Sequence, residues 1–184
     1  MGSLKIPQGC CIERLDPSKH DRESFSCGIE ELDVFLRQQA NQDQKNAQSS
    51  THVVCRDKAI VGYVTLLSAQ IPLVDLPEPP RGVKKNGMLA ATLIARMAVD
   101  QRNQKKRMGE LILMHALKVS WQISRLSSCS VVVVDPKKAV EDFYLKYGFC
   151  RFPVKTSRLY LPIATVGKLL NEGSLEEEKA EDPK

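Results

Sequence analysis

Along this chain, apolar and polar positions switch between a period near two and a period near 3.6, and the switches divide it into elements. Residues 10–15 read as a short strand, followed by a polar turn over 21–28. Ile29, Leu32, Phe35 and Leu36 then recur at helical spacing. Glu30, Glu31 and Asp33 occupy the opening turn, where the positive end of the helix dipole favours them. The polar run 38–50 predicts that this helix fades there. Residues 51–56 and 60–69 read as two strands joined by a tight turn at Asp57-Lys58. Pro72, Pro77, Pro79 and Pro80 with Arg81-Gly82 predict a loop, and 88–99 reads as a fourth strand. Met108, Leu111, Ile112, His115, Ala116, Val119 and Ile123 trace a helical stripe. Residues 130–134, Ser followed by four Val, form the continuous apolar run of a strand covered on both faces. A helix over 137–147 stops at Gly148, placed as a C-cap. Two short strands near 149–152 and 158–161 and a helix over 164–170 complete the series.

That order predicts an α/β fold, a single domain over residues 1–170 with a mixed central sheet flanked by helices on both faces. The connection from the fourth strand through the 107–125 helix to the valine strand should be a parallel, right-handed crossover. Residues 171–184 hold six acidic and two basic side chains and read as an acidic, disordered tail. Subtracting them leaves 25 basic and 16 acidic side chains in the body, which suits a polyanionic partner.

Hydrophobic residues are 42% and charged residues 27%, ordinary for a soluble domain. No apolar run is long enough to span a membrane, and residues 1–5 lack the apolar core of a signal peptide, so a cytoplasmic protein with no membrane contact is expected. Six cysteines at 10, 11, 27, 55, 129 and 150 contain no Cys-x-x-Cys pair, and His20, His52 and His115 are scattered. Their spacing predicts buried inert thiols and no metal.

The chemistry concentrates at one place. An apolar strand ends at Asp100, the basic turn 101–106 follows, and an amphipathic helix begins near Arg107. Backbone N–H groups, a helix N-terminus and Lys105, Lys106 and Arg107 thus converge where a pyrophosphate would bind. The segment resembles the acetyl-CoA loop of the GNAT acetyltransferases, Gln/Arg-x-x-Gly-x-Gly/Ala after a strand. Gln104 and Gly109 match that pattern, whereas Arg107 stands at its middle glycine. A helical φ at Arg107 would cost arginine nothing, and its guanidinium would add a phosphate partner.

The resemblance extends along nearly the whole chain. His20-Asp21-Arg22, Phe25-Ser26-Cys27-Gly28, Glu31-Leu32-Asp33-x-Phe35-Leu36 and Val61-Gly62-Tyr63 resemble the toxin-type branch of that family. So do Ala95-Arg96-Met97-Ala98-Val99-Asp100, Phe143-Tyr144-x-x-Tyr147-Gly148-Phe149 and 161–165, Leu-Pro-Ile-Ala-Thr. Members of that branch acetylate the α-amine of aminoacyl-tRNA, are usually dimers, and are silenced by a ribbon-helix-helix antitoxin, so the resemblance implies a homodimer here.

The resemblance implies acetyl-CoA as cosubstrate and no metal. Met97, Ala98 and Val99 would bind the pantetheine arm as an added strand does, and Gln104, Lys105, Lys106, Arg107, Met108 and Gly109 would hold the pyrophosphate. Phe143 and Tyr144 lie about 100° apart on a helix, so one can pack inward while the other faces a cleft. By resemblance the cleft residue is Tyr144, general acid for the departing thiolate. Lys45, Arg81, Lys84, Lys85 and Arg96 are candidates for the tRNA surface, with Arg96 equally suited to a buried structural role. Two rivals stay open: acetylation of a small-molecule amine or protein N-terminus, and a CoA- or nucleic-acid-binding module disabled at Arg107.

Overall fold

A computed structural model describes residues 6–73, 76, 87–153 and 156–170. Seven strands form one sheet in the order β1-β2-β3-β4-β5-β7-β6. They are β1 (Cys10–Arg14), β2 (Ser50–Arg56), β3 (Ala59–Pro72), β4 (Met88–Val99), β5 (Val131–Val134), β6 (Cys150–Arg151) and β7 (Leu159–Pro162). The helices are α1 (Glu30–Val34), α2 (Ala40–Lys45), α3 (Met108–Leu126), α4 (Glu141–Lys146) and α5 (163–170). The fourth strand thus keeps its predicted bounds, and β5 lies beside it, as the crossover expectation requires. Residues 171–184, read as the acidic tail, lie outside the described residues.

The chain divides into two compact units. In the unit of residues 4–67 and 94–116, β1 pairs antiparallel with β2, and β2 with β3. Residues 60–66 of β3 are all buried, the pattern of a strand covered on both faces. Leu15, Phe25, Phe35, Leu36, Val53, Ile60, Tyr63 and Ala98 are among the residues that close a core there. Phe25 and Phe35 flank the Tyr63 ring at centroid distances of 5.6 and 6.3 Å, and the Tyr63 hydroxyl donates to the Leu32 carbonyl at 2.9 Å.

The first helix departs from expectation. It continues past Gln38 as a π-helical turn over Phe35–Gln39 and then as α2. In α2 only Ala40 is buried and the remaining residues are polar, Gln44 turning its amide inward to the Leu15 carbonyl and the Thr51 N–H, so the helix shows no apolar period to read.

The second unit holds residues 68–93 and 117–170 among those described. Its core gathers Ile71, Leu73, Leu89, Ala91, Val131, Val133, Phe152 and Tyr160. A 3-10 turn, Lys138–Val140, precedes α4, so the predicted 137–147 helix is α-helical only in its second half. It ends as foreseen: Gly148 has φ +85°, its N–H donates to Leu145 O at 3.0 Å, and the Phe149 N–H donates to Tyr144 O at 3.3 Å. This is a Schellman stop. On α3 the buried face is broader than the predicted stripe. It includes Leu113, Leu117 and Ser120, while Ile123 is exposed.

Candidate active site

The loop after β4 is held by a buried carboxylate. Asp100 is 1% exposed and accepts four hydrogen bonds. Its Oδ1 takes the Arg102 backbone N–H at 2.9 Å and Arg102 Nε at 2.8 Å, and its Oδ2 takes Arg102 Nη2 at 2.8 Å and the Ser26 N–H at 3.2 Å. These bonds, with that from Arg102 first among them, hold its carboxyl below the usual carboxylate range. The Asp100 N–H donates to Val61 O at 2.9 Å, fixing the strand end against β3.

The segment before Gly28 forms the other wall. The Gln101 N–H donates to Ser26 O at 2.8 Å, Arg102 Nη2 to Ser24 O at 3.0 Å, and Gln104 Nε2 to Cys27 O at 3.0 Å. Buried Asp33 fixes that wall in turn, accepting from Ser26 Oγ at 3.0 Å and the Cys27 N–H at 2.9 Å. Two carboxylates, one on α1 and one ending β4, thereby set the loop's shape. Neither role is announced by sequence spacing, because the stretch 21–28 reads only as a polar turn.

Within the loop, Lys105 and Arg107 adopt φ of +62° and +60°. The expectation of a helical φ at Arg107 is thus corrected: its backbone is left-handed, the region glycine enters freely. For other residues this costs about 1–2 kcal/mol each, and such positions persist only where their surroundings over-determine them. Gln104 Nε2 also reaches Val99 O at 3.2 Å, and Lys106 Nζ donates to Arg102 O at 2.8 Å. Arg107 places Nε and Nη2 on the two Glu110 carboxylate oxygens at 2.7 and 2.9 Å, so its guanidinium serves the loop itself. Met108 is buried and anchors the start of α3, with Gly109 half-buried behind it. Lys105 and Lys106 are exposed.

Along β4, Ala98 is buried while Met97 and Val99 are half-buried. A Cβ on Gly62 would stand 2.8 Å from Ala98 O and 2.5 Å from Ile112 Cδ1, so only glycine admits this close approach. The strand has twelve residues and its neighbour β5 four, so β5 offers no partner to most of its backbone groups.

Of the residues expected to meet tRNA, Lys45 is exposed at the end of α2. Arg96 lies over the Phe35 ring at 3.8 Å, which gives it a packing role. Arg81, Lys84 and Lys85 lie outside the described residues.

In the other unit, Tyr144 is 5% exposed and Phe143 half-buried, so Tyr144 is the more enclosed of the pair. Its ring meets Phe143 at 5.2 Å and Phe149 at 5.6 Å, both edge-on. Burial pushes its phenol up to about 12, and its hydroxyl makes no hydrogen bond among the described residues. It therefore holds its proton throughout the neutral range. Asp135, the residue after β5, pairs with Arg158 through both carboxylate oxygens at 2.8 and 2.7 Å.

No family model matches the chain. The fold matches AtaT complexed with acetyl-methionyl-tRNAfMet, with a TM-score of 0.79 at 22% identity over 88% of this chain and 99% of that one. It also matches a Tyr-to-Phe variant of AtaT bound to the C-terminus of the antitoxin AtaR and acetyl-CoA, with a TM-score of 0.76 at 22% identity over 89% and 99%. The mixed seven-stranded sheet with its helices is the GNAT fold. In sequence, the chain is 31% identical over 170 residues to the "Probable toxin TacT" of Sinorhizobium fredii (strain NBRC 101917 / NGR234), covering 86% of this chain and 94% of that protein. A "tRNA-acetylating toxin" of Mycobacterium tuberculosis (strain ATCC 25618 / H37Rv) is 32% identical over 99 residues, 53% of this chain and 58% of that one. Within the GNAT fold, the chain belongs to the TacT family of toxins.

Proposed function

We propose that this chain transfers the acetyl group of acetyl-CoA to the α-amine of aminoacyl-tRNA and thereby blocks translation as a toxin. The observation that carries this reading is the carboxylate-anchored loop after β4, with two left-handed residues and an exposed basic edge at the start of a 19-residue helix. Such a loop directs backbone N–H groups toward an anion, as pyrophosphate binding needs. The named activity of the mycobacterial relative and the AtaT complex with acetylated tRNA support the choice of acceptor.

In this reading, amides of residues 104–109 hold the pyrophosphate and the backbone of Met97 and Val99 holds the pantetheine arm. The free α-amine attacks the thioester carbonyl, the C–N bond forms, and the C–S bond breaks. The amine loses a proton and the departing thiolate takes one from Tyr144. A free α-amine has a pKa near 7.7–8.0, about two and a half units below lysine, so roughly a tenth or more is nucleophilic at neutral pH without a dedicated base. Arg107 stands in the left-handed region that glycine enters freely, so its backbone is compatible with an anion-binding loop.

The same reading includes Lys45 with Arg81, Lys84 and Lys85 as tRNA phosphate contacts, a homodimer, a ribbon-helix-helix antitoxin and a cytoplasmic setting. The AtaT–AtaR complex supports the antitoxin. No described helix is long and apolar enough to cross a membrane.

The test is incubation with labelled acetyl-CoA and a pool of charged tRNA, beside uncharged tRNA and a panel of free amines. Label on charged tRNA alone, lost with Tyr144→Phe, is expected. Label on free amines alone would reject the acceptor, and failure to bind acetyl-CoA would reject the enzyme.

A further inference from the structure

Two cysteines that the sequence holds 44 residues apart meet, together with Glu13, on one face of the β1–β2 ladder. Cys11 is directly opposite Cys55 in the antiparallel register, and Glu13 follows two residues on from Cys11, hence on the same face. Cys11 Sγ and Cys55 Sγ are 3.1 Å apart, and Glu13 Oε1 lies 3.9 Å from the first and 3.7 Å from the second. The three ligand atoms thus form a small triangle, and a point roughly 2 Å from each lies at its centre. At about 2.3 Å to each sulfur, the 3.1 Å separation subtends roughly 85°, so the exposed Cys11 side chain must swing outward to open the roughly 3.8 Å between sulfurs that tetrahedral zinc takes.

The carboxylate is also oriented from behind. His20 is 4% exposed; its Nδ1 accepts the Asp16 N–H at 3.0 Å, so the proton sits on Nε2, which donates to Glu13 Oε1 at 3.0 Å. A buried histidine that holds a liganding carboxylate is the kind of outer support such sites use. Cys11 is exposed on the edge strand, leaving a fourth position open to solvent or to an exogenous donor.

We propose that Cys11, Cys55 and Glu13 form a site for a soft divalent cation of the zinc class, with His20 as the residue that positions Glu13. Binding releases the two thiol protons to solvent and leaves two thiolates and one carboxylate around the ion. The ion cross-links the edge strand β1 to β2 and takes no part in acetyl transfer. Two thiols and a carboxylate favour zinc over magnesium or calcium, which take oxygen donors.

The test uses the full chain, reduced and freed of metal, titrated with Co²⁺ and read by absorption. The expected result is a thiolate-to-cobalt charge-transfer band with tetrahedral d–d bands, saturating at one equivalent and bleached by Zn²⁺. Cys11→Ser, at an exposed position, should abolish the band, and His20→Gln should weaken affinity about 10–100-fold. Cys150→Ser, at another exposed cysteine, should leave the band unchanged. A band that survives Cys11→Ser, or octahedral cobalt only, overturns the proposal. So does peptide mapping that finds a Cys11–Cys55 disulfide in protein kept in zinc-replete buffer.

Discussion

Replacing Asp100 with asparagine tests whether one buried carboxylate sets the loop that follows β4. If the retained oxygen takes the Oδ1 position, it keeps the Arg102 backbone N–H and Nε. The new amide group then sits at Oδ2 and faces two donors, Ser26 N–H and Arg102 Nη2. A hydrogen bond to a charged group is worth about 1.5–3 kcal/mol, and an ordinary one about 1. The Arg102 side chain is 63% exposed, so water replaces much of what it loses and the low end applies. The expected cost is about 2–3 kcal/mol. For a chain of this length that lowers the melting temperature by roughly 4–12 °C.

The pH dependence has a fixed sign. The folded carboxyl titrates below its unfolded value near 3.9, so its contribution is fully present above that pH and lost as pH falls through the folded value. The stability gap between wild type and Asp100→Asn should therefore be widest near neutrality and close progressively below pH 4. Other depressed carboxyls, including Asp16 and Asp21, are common to both proteins and cancel in the difference. Chemical denaturation from pH 3 to 7 gives the gap directly. An unchanged melting temperature, or a gap of the same size at pH 3 and pH 7, would refute the claim that the ionised carboxylate holds this loop. Under the proposed function, the same variant raises KM for acetyl-CoA more than it lowers kcat.

Gly62→Ala should destabilise by about 1–3 kcal/mol in urea denaturation, because the new methyl meets the Ala98 backbone oxygen, which cannot rotate away as the Ile112 side chain can. Arg107→Gly should move stability by less than about 1 kcal/mol. Relief of about 1–2 from the left-handed backbone offsets the pair between exposed Arg107 and buried Glu110 and the looser unfolded chain, and a loss above 2 kcal/mol would assign the loop's shape to that ion pair. Tyr144→Phe should lower kcat roughly 10²–10⁴-fold in the acetyl-transfer assay while leaving the melting temperature in place, since the hydroxyl has no partner among the described residues. With its phenol pushed up to about 12, this residue should add no falling limb to the neutral pH–rate profile.

What the sequence disclosed and what it withheld follow from the range of the interactions involved. The bounds of β4 and the stop at Gly148 were legible because each is written locally, in a run apolar except at Thr92 and Arg96 and in one residue that tolerates positive φ. The Asp100 hub was not, since its partner Ser26 lies 74 positions away and nothing in the spacing of either residue announces the other. The same holds for Cys11 and Cys55, which only the β1–β2 register brings together. Arg107 is the more instructive case, because the sequence there departs from the glycine of the CoA-loop pattern while the backbone takes the left-handed conformation glycine enters freely. Glycine is the least costly occupant of a left-handed position, not a required one. Where the Asp100 network on one side and the pair to Glu110 on the other supply the difference, arginine can sit there and the loop keeps its shape.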